Sequence, residues 1–178
     1  SYDNISKVFM MMITSGLLVA LIFLGVTQLF PTQIIELFNL NESPNQNVID
    51  LGVQYLSFIG FSFITITINF SISMLARNVR KVLFPSIFQA IGVLINTGLN
   101  YVLIGGRYGF PQLGVKGAAI ATLISSSIVA ILSIAYLLLS KESALKVHLS
   151  SIKRITFGFT KKLFKTTLPV LLNETFWE

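Results

Sequence analysis

Long apolar runs separated by short polar connections dominate the chain. The first run, Val8–Phe30, holds no charged side chain, and three further uncharged runs span residues 51–76, 82–106 and 117–140. A hydrocarbon core about 30 Å thick takes about 20 helical residues, so each run is long enough to cross a bilayer as a helix. The pattern predicts an all-α fold, a polytopic integral membrane helical bundle with four spans in residues 1–140.

Composition strengthens this prediction. Of the 178 residues, 53% are hydrophobic and only 11% are charged, whereas about a quarter of the residues in a soluble domain are charged. The first run is longer than the apolar core of a signal peptide, and three more spans follow it. Cysteine is absent, so the sequence offers no disulfide and no thiolate metal ligand.

Charged residues between the runs predict the orientation of the spans, because cytoplasmic loops are enriched in Lys and Arg. The connection 39–47 has no basic residue and is predicted to be external, whereas Arg77, Arg80 and Lys81 predict that the next turn is cytoplasmic. Arg107, in the third connection, argues weakly against the external placement of that loop. The N-terminus is then predicted to be cytoplasmic.

The C-terminal part of the chain divides in two. Residues 141–165 carry seven basic side chains and are interpreted as a cytoplasmic linker, either solvated or lying in the headgroup layer. From residue 166 the chain is apolar again, and Pro169 suits the first turn of a helix. Residues 166–178 are therefore expected to begin a fifth span, which would make the chain a fragment of a larger protein.

No group of residues predicts an enzyme. The single histidine, His148, has no acidic partner near it in sequence, and the glycines of the third connection lack the lysine and the strand-to-helix context of a phosphate loop. An integral membrane enzyme would need clustered His, Asp or Glu at a membrane face. The basic residues behind the net charge of +6 flank apolar helices and do not form a patch with exposed aromatics, so no nucleic-acid partner is expected.

Polar side chains inside the spans are informative, because each is costly in lipid unless it faces a partner or a water-filled cavity. Gln89, Asn96 and Asn100 are spaced seven and four residues apart, which places them on one face of the third span. The fourth span opens with small residues, which favour close helix packing, and continues with Thr122. Two interpretations remain open: the polar groups hydrogen-bond the helices together, or they line a cavity that binds a cation or substrate.

The same two spans carry a specific motif. From Asn96 the chain reads NTGLNYVLIG, and after a loop containing Gly and Pro it reads GVKGAAIAT from Gly114 to Thr122. This sequence resembles the multidrug and toxic compound extrusion (MATE) family of transporters, whose pattern is Asn, three residues, Asp, then Leu-Ile-Gly, and later Gly-Val-x-Gly-Ala-Ala-x-Ala-Thr. Further similarities lie along the rest of the chain: Tyr55-Leu56, LARN at residues 75–78, Pro85, LPV at residues 168–170, Asn173-Glu174 and Trp177.

The resemblance, which is to the bacterial branch, implies a domain organisation and an activity. Residues 1–140 correspond to helices three to six of the first six-helix lobe of a two-lobe transporter, 141–165 to the inter-lobe linker, and 166–178 to the truncated start of helix seven in the second lobe. The implied activity is secondary active export of drugs or organic cations in exchange for Na⁺ or H⁺, with no cofactor beyond that coupling ion and no metal. The implied partners are the lipid bilayer and a small-molecule substrate, and the implied location is the cell inner membrane or plasma membrane.

Cation- or substrate-binding residues follow from the same resemblance. The family's first-lobe cation site includes the Asn, Asp and Thr of the motif, which correspond here to Asn96, Asn100 and Thr122. Gln89 shares the face of the two asparagines. Relatives also use an acid on helix seven, which corresponds here to Glu174 or to Glu178, four residues later. Asn100 replaces the family's Asp, and an amide takes up no proton and brings no negative charge to a cation.

Two alternatives to a drug exporter stay open. A lipid or oligosaccharide flippase of the same superfamily would line its cavity with clustered Arg and Lys, whereas the spans read from this sequence contain no basic residue. A non-transporting structural membrane protein would show the same packed helices.

The predicted orientation places Asn45 outside the cell and Lys153 in the cytoplasm. Because the chain has no cysteine, a single cysteine at either position can be labelled with an impermeant thiol reagent on intact cells. We expect labelling when Asn45 is replaced and none when Lys153 is replaced. The reverse pattern would show that the orientation is wrong.

Overall fold

The computed structural model describes residues 2–38 and 46–140. These residues form five α helices: α1 (Tyr2–Leu29), α2 (Pro31–Phe38), α3 (Gln46–Asn78), α4 (Leu83–Leu103) and α5 (Gly114–Leu139). No strand occurs in the two described ranges. The proposed linker at 141–165, the proposed second-lobe segment at 166–178, and the labelling position Asn45 lie outside the described residues.

Four helices are long and apolar enough to cross a membrane: Ile5–Leu29 of α1 and the whole of α3, α4 and α5. The predicted all-α polytopic bundle with four spans is therefore confirmed. Large apolar side chains face outward along these helices, with Leu18 62% exposed, Leu94 72% and Leu138 77%. Extended apolar surface of this kind is typical of a protein that contacts a membrane.

The first and second connections between spans differ from the sequence interpretation. Helix α3 continues through Asn78, so Arg77 lies in the last turn of a span and not in the turn that follows it. The prediction that no basic residue lies within a span is therefore wrong at Arg77 and also at Lys116, in the first turn of α5. A long side chain at a helix end can still reach the interface. Residues after Phe30 form the short helix α2, which Pro31 can begin because the first helical position needs no N–H donor.

Helix α5 holds the described bundle together, because it packs against both α3 and α4, which contact each other only sparsely. Helix α1 packs against α3, where Phe9, Met10, Ile72 and Leu75 form a small apolar cluster. Helices α3 and α4 both pack on α5 but hardly touch each other, so an open cleft remains between the three helices.

Close contact between α4 and α5 depends on two glycines. A Cβ atom on Gly117 of α5 would lie 2.9 Å from the carbonyl carbon and oxygen of Leu103, and one on Gly92 of α4 would lie 2.5 Å from Cγ2 of Val129. Both distances are shorter than van der Waals contact allows. The backbone of α5 at Gly117 therefore lies directly against α4, and the backbone of α4 at Gly92 lies directly against α5. The close packing predicted from the small residues at the start of α5 is confirmed.

This packing predicts opposite effects for two similar substitutions. Replacing a glycine inside a helix with alanine stabilises the helix by about 1 kcal/mol when the added Cβ meets no other atom. At Gly98 no neighbouring atom lies within 4 Å of the added Cβ. We expect Gly98→Ala to maintain or raise thermal stability in detergent. Gly117→Ala should lower it, because the obstructing atoms belong to the Leu103 backbone and cannot rotate away.

The two variants can be compared by the temperature at which the monodisperse peak is lost on size-exclusion chromatography. Equal melting temperatures for Gly98→Ala and Gly117→Ala would contradict the close approach of α4 and α5.

Candidate functional site

A cleft of about 500 Å³ lies between α3, α4 and α5. Five of its lining residues are apolar or glycine: Ile66, Phe70, Gly92, Val93 and Val129. The other eight are polar: Asn69, Ser73, Arg77, Gln89, Asn96, Thr122, Ser125 and Ser126. A polar cleft between helices that otherwise face lipid is the kind of environment in which membrane transporters bind their substrates.

Asn96 is the centre of the polar network in this cleft. Its Nδ2 donates to Oγ1 of Thr122 and to Oγ of Ser125, both at 3.3 Å. Its Oδ1 accepts a hydrogen bond of 2.9 Å from Nδ2 of Asn100. Asn96 and Asn100 are neighbours on α4 because they are four residues apart, and Thr122 and Ser125 are neighbours on α5 because they are three apart. The network therefore joins one face of α4 to one face of α5.

The predicted site residues divide into three groups. Gln89, Asn96 and Thr122 all line the cleft. Asn100 is not among the lining residues and reaches the cleft only through its hydrogen bond to Asn96. Glu174 lies outside the described residues, so its relation to the cleft remains a prediction.

The α3 wall of the cleft was missed in the sequence interpretation. Asn69, Ser73 and Arg77 are spaced four residues apart, which places them on one face of α3 along the cleft. Asn69 donates from Nδ2 to the backbone carbonyl of Ser126 at 3.0 Å, and the hydroxyls of Thr65 and Ser126 are 2.7 Å apart. The signal was available, because Asn69 is an amide in the middle of an uncharged run, the criterion that selected Asn96.

Three buried side-chain oxygens near the cleft have no hydrogen-bond partner among the described residues: Oδ1 of Asn69, Oδ1 of Asn100 and Oγ of Ser73. A buried polar atom without a partner costs roughly 1–3 kcal/mol. Both asparagine side chains already donate from Nδ2. Flipping either amide, so that its oxygen and nitrogen change places, would therefore break that bond and would not satisfy both atoms. These oxygens are therefore positions where a water, a cation or a ligand N–H would be stabilising.

The electrostatics of the cleft are set by neutral oxygens and one guanidinium. Among the described lining residues only Arg77 is ionisable, and it lies at the end of the cleft in the last turn of α3. No cluster of three or more His, Cys, Asp or Glu side chains occurs within residues 2–38 and 46–140. The arrangement can orient a ligand through amide and hydroxyl groups on one side and apolar contacts on the other.

Membrane-spanning helices beside a polar cleft define a class of polytopic membrane protein, and comparison with known proteins identifies the family. The MatE family model matches residues 1–102. The match covers more than half of the chain, so the protein belongs to the MatE family. The resemblance inferred from the motifs is confirmed, and the MatE family is a family of transporters and not of enzymes.

Several bacterial proteins are similar to this chain. The probable multidrug resistance protein NorM of Mannheimia succiniciproducens is 30% identical over 128 residues, which cover 71% of this chain and 28% of that protein. The probable multidrug resistance protein NorM of Streptococcus pneumoniae is 26% identical over 160 residues, which cover 89% of this chain and 34% of that protein. The multidrug resistance protein MdtK of Pectobacterium atrosepticum is 33% identical over 86 residues, which cover 46% of this chain and 18% of that protein. The chain thus matches about a third or less of the length of these relatives. No solved structure matches it significantly.

The hydrogen-bond network predicts unequal effects for its two amides. Asn96→Ala removes three hydrogen bonds and leaves Nδ2 of Asn100 without its partner, so we expect a loss of roughly 2 kcal/mol of stability. Asn100→Ala removes one hydrogen bond and exchanges one unpaired oxygen, its own Oδ1, for another, Oδ1 of Asn96, so its cost should be smaller, about 1 kcal/mol.

Thermal unfolding of both variants in detergent tests this order. Ser127→Ala is a matched control, because the Ser127 hydroxyl bonds within α5 to the carbonyl of Leu123. A melting temperature lower for Asn100→Ala than for Asn96→Ala would contradict the central role of Asn96.

Proposed function

We propose that this chain forms part of a secondary active transporter that exports drugs or organic cations in exchange for Na⁺ or H⁺. The observation that carries the proposal is the polar cleft of about 500 Å³ enclosed by three membrane-spanning helices in a member of the MatE family. The similar proteins named as multidrug resistance proteins support the substrate class. The transporter would act as a multi-pass protein of the cell inner membrane or plasma membrane.

The composition of the cleft suits amphipathic compounds of varied structure. Phe70, Ile66 and Val93 offer an apolar wall, and Asn96 and Gln89 offer amide oxygens. Ligand sites combine apolar surface with a few well-placed polar groups. Because the one charged side chain of this cleft, Arg77, lies at its end, the cleft imposes little geometric selection on the rest of a ligand. Broad substrate specificity follows from this mixture.

The substitution at Asn100 bears on ion coupling. Its amide is neutral at any physiological pH and accepts or donates hydrogen bonds without exchanging a proton. In the proposed mechanism Asn96 and Thr122 are neutral polar contacts for the substrate or cation, and Asn100 supports Asn96 through its hydrogen bond. An acid elsewhere in the complete protein couples transport to the ion gradient. Glu174 is the first candidate for that acid.

The position of Arg77 bears on the alternative of a lipid or oligosaccharide flippase. A flippase of this superfamily was expected to show clustered basic residues for an anionic headgroup. The described cleft contains one basic residue, at its end, and seven neutral polar residues. This composition lacks the basic cluster expected of a flippase and so disfavours that alternative, and measured transport would exclude a purely structural protein.

Transport by the full-length protein in proteoliposomes tests the proposal. We expect wild type to move a fluorescent organic cation across the membrane when a Na⁺ or H⁺ gradient is applied in the opposite direction. Asn100→Asp should add a new dependence of transport on pH or Na⁺ to that of wild type, because it introduces a carboxylate next to Asn96. Asn100→Ala should weaken transport by no more than about fivefold, since one amide hydrogen bond contributes about 1 kcal/mol.

Ser127→Ala serves again as the control, and its transport should match wild type. Absence of gradient-driven dye movement by wild type would contradict the proposed function. Complete loss of ion coupling in Asn100→Ala would contradict only the neutral-contact role. If neither substitution at Asn100 alters transport, the residue contributes to packing alone.

A further inference from the structure

A second pocket, of about 430 Å³, lies at the end of the bundle where α3 ends, α4 begins and α5 ends. It shares no lining residue with the polar cleft. Arg80 and Lys81 provide its basic side, Leu83 and Phe84 its apolar side, and Tyr136 of α5 its back wall. No acidic side chain lines it among the described residues.

Arg80 occupies this pocket in an unfavourable backbone conformation. Helix α3 ends in a Schellman motif, in which the N–H of Lys81 donates to the carbonyl of Ala76 at 2.8 Å and that of Arg80 to the carbonyl of Arg77 at 3.0 Å. The motif requires a left-handed residue, and Arg80 has φ of +59°. Glycine is the usual residue there, and a side chain costs about 1 kcal/mol. An arginine at this position suggests that its guanidinium has a use other than ending the helix.

Two members of an aromatic cluster, Phe84 and Tyr136, line the pocket. The ring centroids of Phe84 and Tyr136 are 5.1 Å apart, and those of Phe88 and Tyr136 are 6.1 Å apart. These contacts fix the start of α4 against the end of α5. Leu83 is 65% and Phe84 49% exposed, so the pocket opens onto apolar surface that acyl chains would cover.

The electrostatic character of the pocket is positive. Arg80 and Lys81 lie between the end of one span at Asn78 and the start of the next at Leu83, which is the level of the lipid headgroups. No side chain caps the N-terminus of α4, so its first N–H groups and the positive end of its dipole add to the charge of Arg80. Basic residues at this depth attract anionic lipids.

From this combination we propose that the pocket binds a phospholipid with an anionic headgroup. The headgroup phosphate would contact the guanidinium of Arg80 and the start of α4, and an acyl chain would lie along Leu83 and Phe84. Charge complementarity selects the headgroup, and the exposed apolar wall distinguishes a lipid from a soluble anion. The site is independent of substrate transport through the cleft.

The variant Arg80→Gly separates ligand binding from folding, because glycine removes the cation and also suits the positive φ of this position. Native mass spectrometry of the purified full-length protein should show wild type binding phosphatidylglycerol several-fold more tightly than phosphatidylcholine. Arg80→Gly should lose about fivefold of the affinity for phosphatidylglycerol. Its thermal stability without added lipid should equal or exceed that of wild type.

Three further variants complete the test. Arg80→Asn, a second neutral residue tolerated at positive φ, should reproduce the loss even if Arg80→Gly does not fold, and Arg80→Lys should retain the preference. Arg107→Gln is the control, because this arginine lies beyond the other end of α4. There its Cζ is 3.8 Å from the centroid of the Tyr101 ring.

Retention of the phosphatidylglycerol preference in both neutral variants would overturn the proposal. Displacement of the lipid by millimolar inorganic phosphate would also overturn it, by assigning the pocket to a soluble anion. Loss of the preference in the Arg107→Gln control would show that overall charge, and not this pocket, selects the lipid.

Discussion

The close approach of α4 and α5 is the contact on which the rest of the described structure depends. Gly117 lies directly against the backbone of Leu103, and Gly92 against Val129. Only at this separation can the short side chain of Asn96 reach Thr122 across the helix interface. Polar groups in a membrane need internal partners, so a wider spacing would leave the amides of α4 unpaired. The glycines and the polar network thus stabilise the same interface.

A consequence of this tight pair is the cleft beside it. Helix α5 contacts α3 through Ser126, whose carbonyl accepts from Asn69, while its other face is occupied by α4. Helices α3 and α4 are held apart, and their polar faces turn toward the space between them. The unpaired Oδ1 atoms of Asn69 and Asn100 show that packing does not satisfy every polar group. This incomplete satisfaction favours a binding function over a purely structural one.

The connection between α3 and α4 presents two arginines to different surroundings. Arg77, in the last helical turn, lines the cleft, whereas Arg80, in the left-handed position that ends the helix, lines the aromatic pocket. The Schellman motif reverses the chain between them. One short turn therefore places one positive charge at the end of the proposed substrate path and another at the proposed lipid site.

The sequence alone determined the all-α membrane fold, its four spans and its family, because uncharged runs of this length have one stable arrangement in a bilayer. Helical spacing also put Gln89, Asn96 and Asn100 on one face. Tertiary structure decided which of these residues share a cleft: Asn100 contacts Asn96 but does not line it, while Asn69 and Arg77 of α3 do. Periodicity describes the faces of a single helix, and the pairing of faces depends on the angles and distances at which separate helices pack.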